Sequence, residues 1–198
     1  MACPSFSLPA RTTCPAAALC LKKAKAEGTE AICGRCYATK GRYYFTNVKT
    51  AQARRLEWWT PTHPVTRARV IAGLMTEAGS PKFFRCYDSG DMDRSAAETW
   101  YHLAELLPDT ILWLPTKTWL LPEYMPDLIS LNRHPRIVVR PSAVAFDDPP
   151  PKVDGLSAGT ASFWKEPMKA DVKCHEQCGA ECRICWLRPD LSVSYKRK

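Results

Sequence analysis

Apolar positions in this chain change spacing twice, and the changes mark out its elements. Over residues 47–59, Val48, Ala51, Leu56 and Trp59 fall near one face at helical spacing, with Thr46 or Asn47 available as a cap. Pro61 and Pro64 stop that helix. A second helix is predicted over 65–78, with Val70, Ile71, Leu74 and Met75 on one side and Gly79 as terminator. From residue 82 short apolar runs alternate with helical stretches. Residues 82–87 (K-F-F-R-C-Y), 111–114 and 136–140 (R-I-V-V-R) read as strands, and 95–107 and 123–131 as helices, Ser95 and Glu98 forming a capping box. A final strand is expected within 156–164. Strands that begin about 25 to 30 residues apart with helices between them predict βαβ units and a parallel sheet.

The two ends follow a different plan. Pro4, Pro9 and Pro15 make residues 1–40 loop-rich, with a short helix over 16–25 that carries Cys20 and ends at Gly28. Residues 31–38 fit either a strand or a loop, and Tyr43-Tyr44-Phe45 either a strand end or a core patch. Asp147-Asp148-Pro149-Pro150-Pro151 reads as a rigid exposed turn. The 198 residues suit a single domain: an N-terminal cysteine segment (1–40), the βα units (41–165), and a C-terminal cysteine segment with a basic tail (166–198). A full eight-unit barrel typically takes about 250 residues. The expected fold is therefore α/β, a compact or partial TIM-barrel-like (β/α) barrel or an open sheet. A nearly closed ring would make the first and last strands neighbours and bring the two cysteine segments together.

Composition adds the chemistry. Of ten cysteines, eight form two groups: Cys14, Cys20, Cys33 and Cys36, then Cys174, Cys178, Cys182 and Cys185. Residues 1–10 lack the basic and apolar regions of a secretory signal, and no apolar run approaches the roughly 18 residues of a membrane span. A cytosolic setting favours metal or cluster binding over disulfides. Thiolates suit zinc or an iron–sulfur cluster. Both groups are unevenly spaced, which a [4Fe–4S] cube accepts because its irons sit at separate corners. Zinc remains the competitor, above all for residues 174–185, where His175 is an alternative ligand. The net charge of +8 and the ending Tyr195-Lys196-Arg197-Lys198 suit nucleic acid or a small anion as partner, or simply a solvated surface.

Functional residues of parallel α/β folds sit past the C-terminal ends of strands. Here those positions are 88–91 (D-S-G-D), Thr116-Lys117 and Arg140-Pro141-Ser142. Asp91 and Lys117 are the candidate catalytic groups. Cys86 lies in an apolar strand and reads as core, and Cys3 as incidental. His63, His102 and His134 follow no ligand pattern. The seven tryptophans read as core more than as stacking platforms for bases.

With these residues in view, the chain resembles the phage gene product 88-like family of uncharacterised proteins. The likeness runs through Ser7-Leu8-Pro9-Ala10, Thr13-Cys14-Pro15, Cys36-Tyr37-Ala38, Phe84-Arg85, Ser89-Gly90-Asp91, Trp113, Thr116-Lys117 and Cys182 to Cys185-Trp186. The Cys-Tyr-Ala loop is also similar to the cluster loop of radical S-adenosylmethionine enzymes. The resemblance implies a viral iron–sulfur protein on a TIM-barrel-like scaffold, working in the cytoplasm of an infected bacterium. The expected function is a [4Fe–4S] cluster bound through cysteines of both termini, with an open iron serving sulfur transfer or nucleic-acid modification; a zinc-stabilised nucleic-acid-binding module and a purely structural cluster are the alternatives. The radical-enzyme spacing is absent, since 12 residues separate Cys20 from Cys33.

Overall fold

A computed structural model describes residues 3–163, 170–174 and 182–196. The central sheet has four parallel strands in the order β1-β2-β3-β4: β1 (Ser5–Ser7), β2 (Phe83–Ser89), β3 (Ile111–Thr116) and β4 (Ile137–Pro141). The three strands expected from the apolar runs are present, each reaching one or two residues further at its C-terminal end. β1 is an addition, because three residues between prolines carry no periodicity. Its partner defines it: Arg85 N–H donates to Pro4 O at 3.1 Å and Leu8 N–H to Ser89 O at 3.0 Å. Ser5 pairs with Arg85 and Ser7 with Ser89, so β2 is bulged against β1. The bulge turns Tyr87 to the same side as Phe84 and Cys86.

Four helices cover that side: α2 (Thr46–Trp59), α3 (Pro64–Glu77), α4 (Ala96–Leu106) and α5 (Met125–Arg133). Trp100 of α4 is wholly buried between Phe6, Trp59, Phe84 and Tyr87, with ring centroids 5.4–6.2 Å away. Trp59, Trp113 and Trp186 are buried as well, and Cys86 is fully buried in the same core as Trp100. The inward stripe of α3 is Ala68, Ile71, Ala72 and Met75, at offsets of three and four. Val70 and Leu74, expected inside, lie on the next stripe and are exposed. The expected Ser95–Glu98 box does not form. Asp93 accepts from Ser95 N (2.8 Å), Ser95 Oγ (2.6 Å) and Trp59 Nε1 (2.6 Å), and Ser95 Oγ accepts from buried Arg67 at 2.7 Å. Neither Thr46 nor Asn47 caps α2 through its side chain.

Residues 31–38 are neither strand nor open loop but two 3-10 turns, Ile32–Arg35 and Tyr37–Thr39. A third turn, Gly41–Tyr44, leaves Tyr44 and Phe45 exposed rather than in a core patch. The cysteine-bearing helix is α1 (Ala17–Ala26).

A second parallel sheet follows, β5 (Thr160–Phe163), β6 (Val172–Cys174) and β7 (Val193–Lys196), in the order β5-β7-β6. A single parallel bridge, Ser142 to Thr160, joins it to the end of β4, with Ala143 N–H donating to Thr160 O at 2.8 Å. No closed barrel forms among the described residues; the expected ring is two open sheets in an α/β fold. Part of the expected tail is β7, whose four residues are too few to show a period. No helix among the described residues is long and apolar enough to cross a membrane.

The second face of the central sheet carries Phe83, Ile111 and Trp113, packed with Trp186 and Cys185 of α6 (Ile184–Leu187) and with Val193. Arg140 of β4 fastens this side. It is wholly buried, and its guanidinium donates to the carbonyls of Cys185 (3.1 Å), Ala158 (2.7 Å), Leu191 (2.7 Å), Arg188 (2.6 Å) and Ile184 (3.4 Å). Read from sequence as a rim residue, Arg140 is thus a strut. Burial lowers its pKa. Arg140→Met should lower the unfolding free energy by at least about 3 kcal/mol, because buried carbonyls lose a charged donor. Arg140→Lys should recover only part of that, since an ammonium cannot reproduce the planar fork. Urea denaturation of the three proteins measures both effects.

Candidate cysteine site

One residue, Asp91, ties together the C-terminal ends of β2 and β3 and the loop that bears Cys14. Asp91 is buried and accepts from Met92 N (2.8 Å), Thr116 Oγ (2.7 Å) and Lys117 N (2.9 Å). Burial pushes its pKa up, while the three donors pull the other way. Its own N–H donates to Thr13 O at 3.1 Å, which seats the loop bearing Cys14. Gly90 makes this approach feasible. Its φ is 85°, and a Cβ there would lie 2.7 Å from Thr13 Oγ and 3.0 Å from Leu8 Cβ. Both oxygens of Asp91 are committed to protein donors, so its part is positional. Lys117 acts on Cys14, Cys20 and Cys33, and the Asp91 charge also acts on Cys14.

Cys14, half-buried beside Asp91, has its thiol pushed up to about 12, first by burial and then by the Asp91 charge, with Lys117 opposing. Cys20 of α1 is fully buried, its Sγ 3.4 Å from Val144 O. Cys33 donates to its sulfur, which favours the Cys20 thiolate and pulls Cys20 down to about 6. Cys33 rises in consequence, with burial adding to the shift. Lys117 lowers both, Cys33 senses Cys14, and Cys14 senses Cys36. Lys117 thus acts on Cys14, Cys20 and Cys33, and Asp91 on Cys14, at the strand ends.

Backbone contacts hold the group in place. Arg11 donates to Gly34 O at 2.9 Å, Ile32 N–H to Val144 O at 2.9 Å, and Phe146 N–H to Glu30 O at 2.9 Å. Just past Cys36, Tyr37 hydrogen-bonds through its hydroxyl to Asp88 O and accepts from Arg85 Nη2 at 3.1 Å. Its ring is exposed while its hydroxyl reaches inward. Tyr43 donates to the Asp88 carboxylate, which pairs with Arg85 at 3.0 Å.

The second group lies elsewhere. Cys174 ends β6, Cys182 is exposed, and Cys185 is buried with its sulfur 2.9 Å from Tyr195 Oη. Cys178 and the alternative ligand His175 fall outside the described residues. Cys3, expected to be incidental, packs like Cys174 against the cluster of Trp113, Cys185, Trp186 and Val193. Its proximity depends on β1, the strand that periodicity does not reveal. Cys20 belongs to a different packed cluster, with Ala24, Ala31 and Val144. The merger of both groups into one site, expected of a closed ring, is not what the described residues show. Between the groups stands Arg85, bonded to Tyr37 and stacked 4.9 Å from the Trp113 ring centroid, and it also senses the Tyr195 hydroxyl. Among the described residues no cluster of three or more His, Cys, Asp or Glu side chains is positioned to hold a metal ion. The three histidines set aside as non-ligands have structural contacts: His63 caps α3, His102 is 3.8 Å from Glu98, and His134 is 2.7 Å from Glu105.

A family model described as gene product 88 matches residues 1–187. No curated protein and no solved structure matches the chain. The role assigned to Asp91 is testable by Asp91→Asn. The new amide would set a donor against the Lys117 N–H or against Thr116 and Met92, whichever way it turns. The expected loss is about 1–3 kcal/mol in urea denaturation. An unchanged midpoint would remove Asp91 as the latch.

Proposed function

We propose that this chain, which belongs to the gene product 88 family, binds an iron–sulfur cluster, [4Fe–4S], through Cys14, Cys20, Cys33 and Cys36. One observation carries the reading. Cys14, Cys20 and Cys33 all feel the Lys117 side chain, where parallel strands end, and Cys14 also feels Cys36. The donor set is soft, as iron–sulfur clusters and zinc both require. The uneven spacing favours the cluster, and Lys117 offsets the net negative charge that four thiolates would leave on it. A cluster held by all four thiolates would supply one-electron transfer.

The chain's own groups have separate tasks. Asp91 fixes the backbone of Lys117 and the loop of Cys14 together, setting the cation beside the sulfurs. Lys117 is also the group that would hold a small anion there. Cys174 and Cys185, with Cys3, pack on the opposite face and are not needed for this site.

Iron, acid-labile sulfide and zinc are to be measured on anaerobically purified protein beside Cys14→Ser, Cys36→Ser and Cys185→Ser. The expected result is about four irons and four sulfides per chain, lost in the first two variants and kept in the third. Zinc without sulfide, or loss of iron in Cys185→Ser alone, would overturn the assignment.

A further inference from the structure

Residues 31–56 contain Arg35, Lys40, Arg42, Lys49, Arg54 and Arg55 and no acidic residue. Arg35 pairs with Glu30, and Arg55 donates to Ser7 O. Lys40, Arg42, Lys49 and Arg54 are exposed. Large rings are exposed among them: Tyr37 by 53%, Tyr44 by 64% and Phe45 by 59%. These rings do not sit on a loose loop. The Tyr37 and Tyr43 hydroxyls are anchored to Asp88, the two rings meet edge to face with centroids 5.8 Å apart, and Lys49 Nζ stands 4.0 Å from the Tyr44 ring centroid.

We propose that this surface binds single-stranded nucleic acid, with Tyr44 and Phe45 stacking on bases and Lys40, Arg42 and Lys49 meeting phosphates. A preformed set of exposed rings among cations, with no carboxylate in that stretch, is complementary to a polyanion whose bases are free to stack. A duplex offers no unstacked base to these rings. An anionic bilayer would call for an apolar stripe along the adjoining helix. The exposed residues of α2 are instead Thr46, Asn47, Lys49, Thr50, Ala53, Arg54 and Glu57. The surface starts at Tyr37, the residue after Cys36, so a bound strand runs past the cysteine site. The binding itself rests on no metal.

Full-length protein is titrated into a labelled oligothymidine about 16 nucleotides long, with fluorescence anisotropy as the readout. Tyr44→Ala/Phe45→Ala should weaken binding at least about tenfold. Arg42→Gln/Lys49→Gln should flatten the slope of log K against log salt by about 1.4. All of these side chains are exposed, so the circular dichroism spectrum and urea midpoint should stay unchanged. Unaltered affinity in the aromatic variant would overturn the stacking surface. So would equal binding of a duplex or of heparin. Capture by phosphatidylserine vesicles without oligonucleotide binding would assign the surface to a membrane instead.

Discussion

A guanidinium sealed from water is the constraint on which the architecture turns. Burying Arg140 carries a desolvation cost that only a complete set of acceptors offsets. The acceptors come from three places: the turn before β5 through Ala158, the residues of and just after α6, and Leu191 before β7. One side chain of the first sheet thereby organises the chain that covers the second face. The carbonyls gain as well, since Ile184, Cys185 and Arg188 lie in a helix only four residues long or just past it, where intrahelical donors run out. Trp186 adds its Nε1–H to Phe84 O at 3.0 Å, a second tie between the same two parts.

The strand ends repeat this economy with the opposite sign. Asp91 is a buried anion solvated by a hydroxyl and two backbone amides, and it links β2, β3 and the Cys14 loop. Its charge then acts on Cys14 against Lys117. A third polar group, Arg85 with Asp88, Tyr37 and Tyr43, sets the turn that follows the last N-terminal cysteine. That turn determines which aromatic rings are tied down and which are left outside. The geometry of the cysteine site and the exposure of Tyr44 and Phe45 are therefore consequences of one network. Arg85 also stacks on Trp113, so the network reaches the cluster that holds Cys3, Cys174 and Cys185. The two cysteine groups are distinct in packing yet joined through a single buried cation.

Sequence by itself determined α1, α2, α3, α4 and α5, the strands β2, β3, β4 and β5, and the parallel alternation of strands with helices. Those signals are local: a period of 3.6 or an apolar run, bounded by proline or glycine. It also marked the strand ends and the residue types of the site, because eight clustered cysteines and the charges at Asp91 and Lys117 stand out from their neighbours. Tertiary structure alone decided the rest. β1 and β7 span three and four residues, too few for a period, and exist through their partners. Ser95 abandoned Glu98 because Asp93 and Arg67 reached it first, and Val70 and Leu74 faced outward because the adjacent stripe had the better fit. Whether the sheet closed, which cysteines shared surroundings and which tyrosines stayed outside all depended on residues distant in sequence, such as Cys3 packed against the cluster of Trp113 and Trp186 and Tyr37 beside Arg85. Such encounters are settled by burial of charge and shape across the whole fold, and a short window of sequence does not encode them.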